Sequence, residues 1–153
     1  MKFLRKVDAL SHSLASSQGR IFEKSISFGI PSKNFIKSYM LSNEASLIDE
    51  LKLDVAGLSE IEIFDSIANR ITNKNGTLYS FSVMHYTGYF YRIASYLTGH
   101  SSRFIYQHIK PDLINRNYQT LHSLPIEEAI KEVFEIINYK EEDKYELFKK
   151  IYK

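Results

Sequence analysis

From Asn75 to Ser102 the chain runs for 28 residues with a single formal charge, Arg92. Val83, Tyr86, Phe90, Ile93 and Leu97 fall on one stripe at helical spacing, and Phe81, Met84, Gly88, Tyr91 and Ser95 fall on the opposite one. A helix apolar on nearly every side has no face to give to water, so it belongs in the middle of a bundle. Two histidines and many serines, threonines and tyrosines make the stretch too polar for a lipid-facing span, and no membrane association is expected. The pattern predicts a buried central helix over about 78–97. Around it the expected fold is all-α, a single domain over 1–153 built from about six to eight helices.

The rest of the chain supplies helices to surround it. Leu4, Val7, Leu10, Leu14 and Phe22 share three- and four-residue spacing, with a break in phase around Ser16–Gly19 that leaves one helix or two open. Gly29-Ile30-Pro31 marks a turn, and Ser32 and Ser42 are candidate caps for two short helices. Ser59 and Glu62 read as a capping box, Gly99 as a left-handed helix end, and Pro125 as the first residue of a late helix. Residues 140–153 read as a charged amphipathic helix. No alternating apolar pattern outlasts about four residues, which argues against strands. The absence of cysteine excludes a disulfide framework, a thiol nucleophile and any thiolate-held metal. The N-terminus is basic but is followed by Asp8, His12 and several serines instead of an apolar run, so a cytoplasmic location is expected.

The net charge of +2 conceals segregation. Residues 1–40 carry +5, 41–70 carry −5, 71–123 carry +4 and 124–153 carry −2. Between Leu78 and His122 lie one acid (Asp112), three Arg, one Lys, four of the five His and seven of the 11 Tyr. A basic block rich in Tyr and His suits an anion, a nucleotide or a nucleic acid. The alternative is that tyrosines at helical spacing pack at the margin of a core with their hydroxyls bonded.

Arg92 stands out within this block. Buried in an apolar helix, its guanidinium needs a partner, and Glu62, Asp65 and Asp112 are the candidates. It could instead read an anion in a pocket lined by Tyr89, Tyr96 and Tyr106. The corner Thr98–Arg103 joins small residues, free backbone N–H groups and Arg103, so Ser101, Ser102 and Arg103 are candidate phosphate contacts, against a plain serine-capped corner. Arg103 and His108, with four residues between them, match the short motif of HEPN-type ribonucleases, in which Arg and His cut RNA. No His or carboxylate spacing suits a metal, and no cofactor is expected.

Several of these residues also carry a resemblance. GYFYR at Gly88–Arg92, TGHSSRFIY at Thr98–Tyr106, Tyr118, and His122-Ser123-Leu124 are similar to the recurrent motifs of an uncharacterised family of small helical bacterial proteins, common in Firmicutes. The stretch Phe35–Leu51 resembles that family's first helix pair. The chain departs from the pattern at Ile93-Ala94, where aromatics are usual, at Arg103 in place of Lys, and at Leu121 in place of Tyr. The family keeps no fixed His at the position of His108, which speaks against the ribonuclease reading. Its members are typically encoded beside proteins similar to ADP-ribosyltransferase toxins. The resemblance implies a non-enzymatic antitoxin or accessory partner in a toxin–antitoxin or phage-defence module. It would bind the toxin-like protein of its own operon through a surface rich in Tyr and Arg. Tyr89, Arg92, Tyr96, Ser101, Ser102, Arg103, Tyr106, Tyr118 and His122 are the candidate binding residues. A nucleic acid or nucleotide as partner stays open, as does self-association.

Overall fold

A computed structural model describes residues 1–51 and 58–139. The described residues form nine helices and no strand: α1 (Ala9–Ser27), α2 (Ser32–Met40), α3 (Asn43–Asp49), α4 (Glu60–Ala68), α5 (Phe81–Thr98), α6 (Ser102–His108), α7 (Pro111–Arg116), α8 (Tyr118–His122) and α9 (Ile126–Ile136). The tail read as an amphipathic helix, 140–153, lies outside them. No described helix is long and apolar enough to cross a membrane.

The central helix of the bundle is α5. It packs along α1 in the most extensive helix pairing and also meets α6, α7 and α9. Ser80 starts it by accepting the Val83 N–H, and Gly99, at φ 76°, ends it by donating to the Ser95 carbonyl. Leu78 and Tyr79 precede the helix. The Tyr79 N–H is held by the Ser32 hydroxyl at 2.8 Å, so Ser32 ties two chain segments together and Pro31 occupies the cap position of α2.

One continuous helix, α1, runs through the region where the sequence phase breaks. A reciprocal Asp8–Ser11 capping box opens it. Its buried residues are Ser11, Ala15, Gln18, Gly19, Ile21, Phe22 and Ser25, five of the seven small or polar, while Leu10 is exposed. Small side chains let two helix backbones approach closely, and here they let α1 seat against α5. A Cβ built on Gly88 would meet the Gln18 carbonyl oxygen at 2.7 Å, and one on Gly19 would meet the His85 carbonyl oxygen at 2.9 Å.

The remaining helices close the core by local rules. Ser42 and Ser59 cap α3 and α4, and Ser59 also donates to the Glu62 carboxylate. Pro111 is the first residue of α7, where its missing N–H costs nothing. Pro125 sits one residue before α9, whose Ala129, Ile130, Val133 and Phe134 fill the side of the core nearest α5 and α8.

Candidate functional site

Arg92 is 2 % exposed, and every nitrogen of its guanidinium is bonded. Nε donates to Gln18 Oε1 at 3.0 Å, one terminal nitrogen to Asp49 Oδ1 at 2.5 Å, and the other to the Ser102 hydroxyl at 3.1 Å. The partner is therefore Asp49, at the end of α3, and not Glu62, Asp65 or Asp112. Glu62 and Asp65 sit on the exposed side of α4, and Asp112 is engaged by Lys33 and Tyr79. Gln18 also accepts from the Tyr39 hydroxyl at 2.9 Å, which links α1, α2, α3, α5 and α6 in one buried polar network. Burial pushes the Tyr39 phenol up to about 12, against the pull of the Arg92 charge.

The serine corner does hold an anion, and the anion belongs to the chain itself. Ser102 donates its backbone N–H to Asp49 Oδ2 at 2.7 Å and its hydroxyl to Oδ1 at 2.6 Å. Ser95 adds a longer contact to the same carboxylate, at 3.3 Å. Ser101 caps α6 through the Phe104 N–H. A cavity of about 260 Å³ lies beside this network, lined in part by Arg5, Asp49, Glu50, Arg92, Tyr96 and Ser101. Tyr96 forms one wall of it. The Tyr96 hydroxyl donates to Asp8 at 2.8 Å, and its ring lies under the Arg5 guanidinium at 4.9 Å.

Arg103 and His108 go separate ways. Five residues along a helix separate side chains by about 140° around the axis. Arg103 reaches the Leu41 carbonyl at the end of α2 at 3.3 Å. His108 donates Nδ1–H to the Phe104 carbonyl and stacks on the Phe104 ring at 4.0 Å, with His100 stacked on its other face at 3.8 Å. In the folded chain the two residues thus have different neighbours. Tyr106 lies under the Lys110 ammonium at 4.3 Å.

The remaining candidates meet in a second cavity, of about 350 Å³. Tyr89, Tyr118 and His122 line it together with Tyr86, His85 and Glu23. Tyr118 and His122 are stacked, with ring centroids 5.0 Å apart, and Tyr86 meets both edge-on at 5.5 and 5.8 Å. Tyr89 is bonded to His12 at 2.9 Å, and Glu23 to His85 at 3.1 Å. The Tyr86 hydroxyl is closed from water and has no hydrogen-bond partner among the described residues. Phe81, half exposed, stands at the rim. Of the nine candidate residues, six thus divide between two cavities, Ser102 and Arg103 stand at the helix corner, and Tyr106 lies on α6 against Lys110. Among the described residues no Lys or Arg lines the aromatic cavity, although most of its lining lies in the basic block. Among the described residues no group of three or more His, Asp or Glu is placed to hold a metal ion.

Sequence reasoning placed Tyr86 on an apolar stripe of the central helix and gave Glu23 no role. The signal that could have joined them is the α1–α5 register. Once Gly19 is placed against His85, Glu23 falls one turn further along the same groove. Compared with protein-family models, curated proteins and solved structures, the chain matches none.

The buried tyrosines lead to a prediction. Burial raises the phenols of Tyr91 and Tyr86, and burial together with the Asp112 carboxylate raises Tyr79. A phenol raised in the folded state contributes stability that is whole below its unfolded value near 10 and is lost as pH climbs through the folded value. The helical circular dichroism is expected to collapse above about pH 10, together with a steep rise in phenolate absorbance. Phenols that titrate one by one while the helix signal stays intact would contradict this.

Proposed function

We propose that this chain is a binding protein that acts by contact with a protein partner, as an antitoxin or accessory subunit. The observation that carries the reading is the aromatic cavity and its rim. Tyr86, Tyr89, Tyr118 and His122 form a concave wall beside the exposed ring of Phe81, which is 49 % exposed. Tyrosines gathered in a concave patch are a common kind of interface anchor. The polar side chains of the other candidate sites bond mainly within the fold: Arg92 to Asp49, Ser102 to Asp49, and Arg103 to Leu41. The nature of the partner comes from the resemblance of the GYFYR, TGHSSRFIY and His122-Ser123-Leu124 motifs to proteins encoded beside ADP-ribosyltransferase-like toxins.

The test is co-expression with the product of the adjacent gene. The two proteins are expected to co-purify, and growth inhibition by the neighbour is expected to be relieved. Phe81→Asp, at an exposed position, should weaken capture by about tenfold or more, the size of effect seen on removing an interface anchor. A neighbour equally toxic with and without this chain, and not retained by it, would overturn the reading.

A further inference from the structure

Several rings of this protein carry its own cations. Arg5 lies over Tyr96, Lys24 over Phe28 and Phe64, Lys110 over Tyr106, and Lys131 over Phe3, with the charge 4.3–5.8 Å from each ring centroid. The cluster of Tyr86, Tyr118 and His122 differs. Among the described residues no Lys or Arg lies over it, and none lines its cavity. Apart from the imidazoles of His85 and His122, its one ionisable side chain of fixed charge among the described residues is the carboxylate of Glu23. Glu23 meets His85 through Oε2, and Oε1 has no bond among the described residues. Stacked ring faces carry negative potential, and a carboxylate beside them adds to it. Such a cleft repels a phosphate and attracts a cation.

The shape narrows the cation. About 350 Å³ is at the small end of ligand cavities, roughly 300–1,000 Å³, so one side chain or a small ligand suits it. Its walls are flat rings set edge to face and in a near-parallel pair. A guanidinium is planar and weakly hydrated. It stacks on rings and offers paired N–H donors to a carboxylate, which an ammonium does less well. The Tyr86 hydroxyl in the same wall is buried without a partner among the described residues, which costs the folded state.

We propose that the cleft of Tyr86, Tyr118 and His122 binds the guanidinium of an arginine side chain on a partner protein, with the rings stacking on the cation and Glu23 pairing with it. This rests on the reading of the chain as a protein-binding module and names what that module takes hold of.

The full chain is titrated with Nα-acetyl-arginine amide, with its neutral counterpart Nα-acetyl-citrulline amide, and with adenosine monophosphate, while the tyrosine and histidine ring resonances are followed by NMR. The arginine compound should shift the Tyr118 and His122 rings saturably. The citrulline compound should bind about tenfold more weakly or not at all, because it loses both the cation–ring attraction and the charge pair. Glu23→Gln, at a side chain 41 % exposed, should weaken the arginine compound about fivefold while the thermal midpoint holds. Tyr118→Leu should weaken it further. No saturable shift with the arginine compound overturns the proposal. So does equal binding of the citrulline compound, and so does preferential binding of adenosine monophosphate, which would make the cleft a base slot. The two readings fail separately. If the arginine compound binds but the neighbouring gene product does not, the cleft assignment stands and that partner falls. If the neighbour is captured equally by wild type, Glu23→Gln and Tyr118→Leu, the partner stands and the cleft assignment falls.

Discussion

Replacing Arg92 by Met lowers the stability of the fold by about 3–5 kcal/mol, the usual consequence of removing one member of a buried ion pair. The size follows from what is left behind. Asp49 is 12 % exposed at its side chain and keeps its charge among Ser95, Ser102 and the end of α3, with its main counter-ion gone. Gln18 loses a donor as well and retains only the Tyr39 hydroxyl on Oε1. Typical domains hold about 5–15 kcal/mol in all, so the loss is a large share and is readily seen in a urea titration. A second variant separates this cause from loss of packing. In Arg92→Met/Asp49→Leu the stranded charge is gone, and the remaining cost is the orphaned Ser102 N–H and hydroxyl, about 1–3 kcal/mol. The double variant should therefore be more stable than Arg92→Met alone. If it is less stable by the sum of the two single losses, the two side chains are not coupled and the account of the network is wrong.

Gly88→Ala is the second large effect, and its sign is the informative part. In an exposed helix interior the change from Gly to Ala stabilises by about 1 kcal/mol. At the α1–α5 crossing the new methyl would sit 2.7 Å from the Gln18 carbonyl oxygen and 2.9 Å from the Phe22 ring. The first of these is backbone, so the helices themselves must separate. Overpacking of this kind costs about 1–3 kcal/mol. Gly88→Ala is thus expected to lower the thermal midpoint, and Gly29→Ala makes a useful contrast. Gly29 has open space around a Cβ but a φ of 66°, so any loss there comes from backbone strain alone. A Gly88→Ala protein that is more stable than wild type would show that the two helices do not cross as described.

Most of the helical order was legible because it rests on local chemistry. Ser42, Ser59, Gly99 and Pro111 do at helix ends what their residue types do generally. The centrality of α5 could be read because an apolar surface on all sides has only one solution in water. Two things could not be read. The buried face of α1 uses Ser11, Ala15, Gln18 and Gly19, so a search for large apolar residues lands on Leu10, which faces solvent. Close approach of helices is specified by what is small, and small residues carry no hydrophobic signal. The partner of Arg92 was also hidden, because Asp49 sits in an acidic run that looks like any solvated helix end. Only the fold brings it to Ser102, 53 residues away. The candidate site divided for the same reason. Residues close together in the motifs, such as Arg92 and Tyr89, line different cavities.

The pairing of α1 with α5 sets the order of events when the chain is made. Gln18 meets its acceptor, the Gly88 carbonyl, across 70 positions of sequence, and α2, α3 and α4 are all synthesised in between. A ribosome adding about 5–20 residues per second leaves α1 without its main neighbour for several seconds. During that time Phe22 and Ile21 have only the early helices for cover. Contacts this distant also slow folding compared with bundles whose successive helices are the ones that pack. A chain truncated before Ser80 is therefore expected to be bound by chaperones, and release on the ribosome should come only once α5 has cleared the exit tunnel.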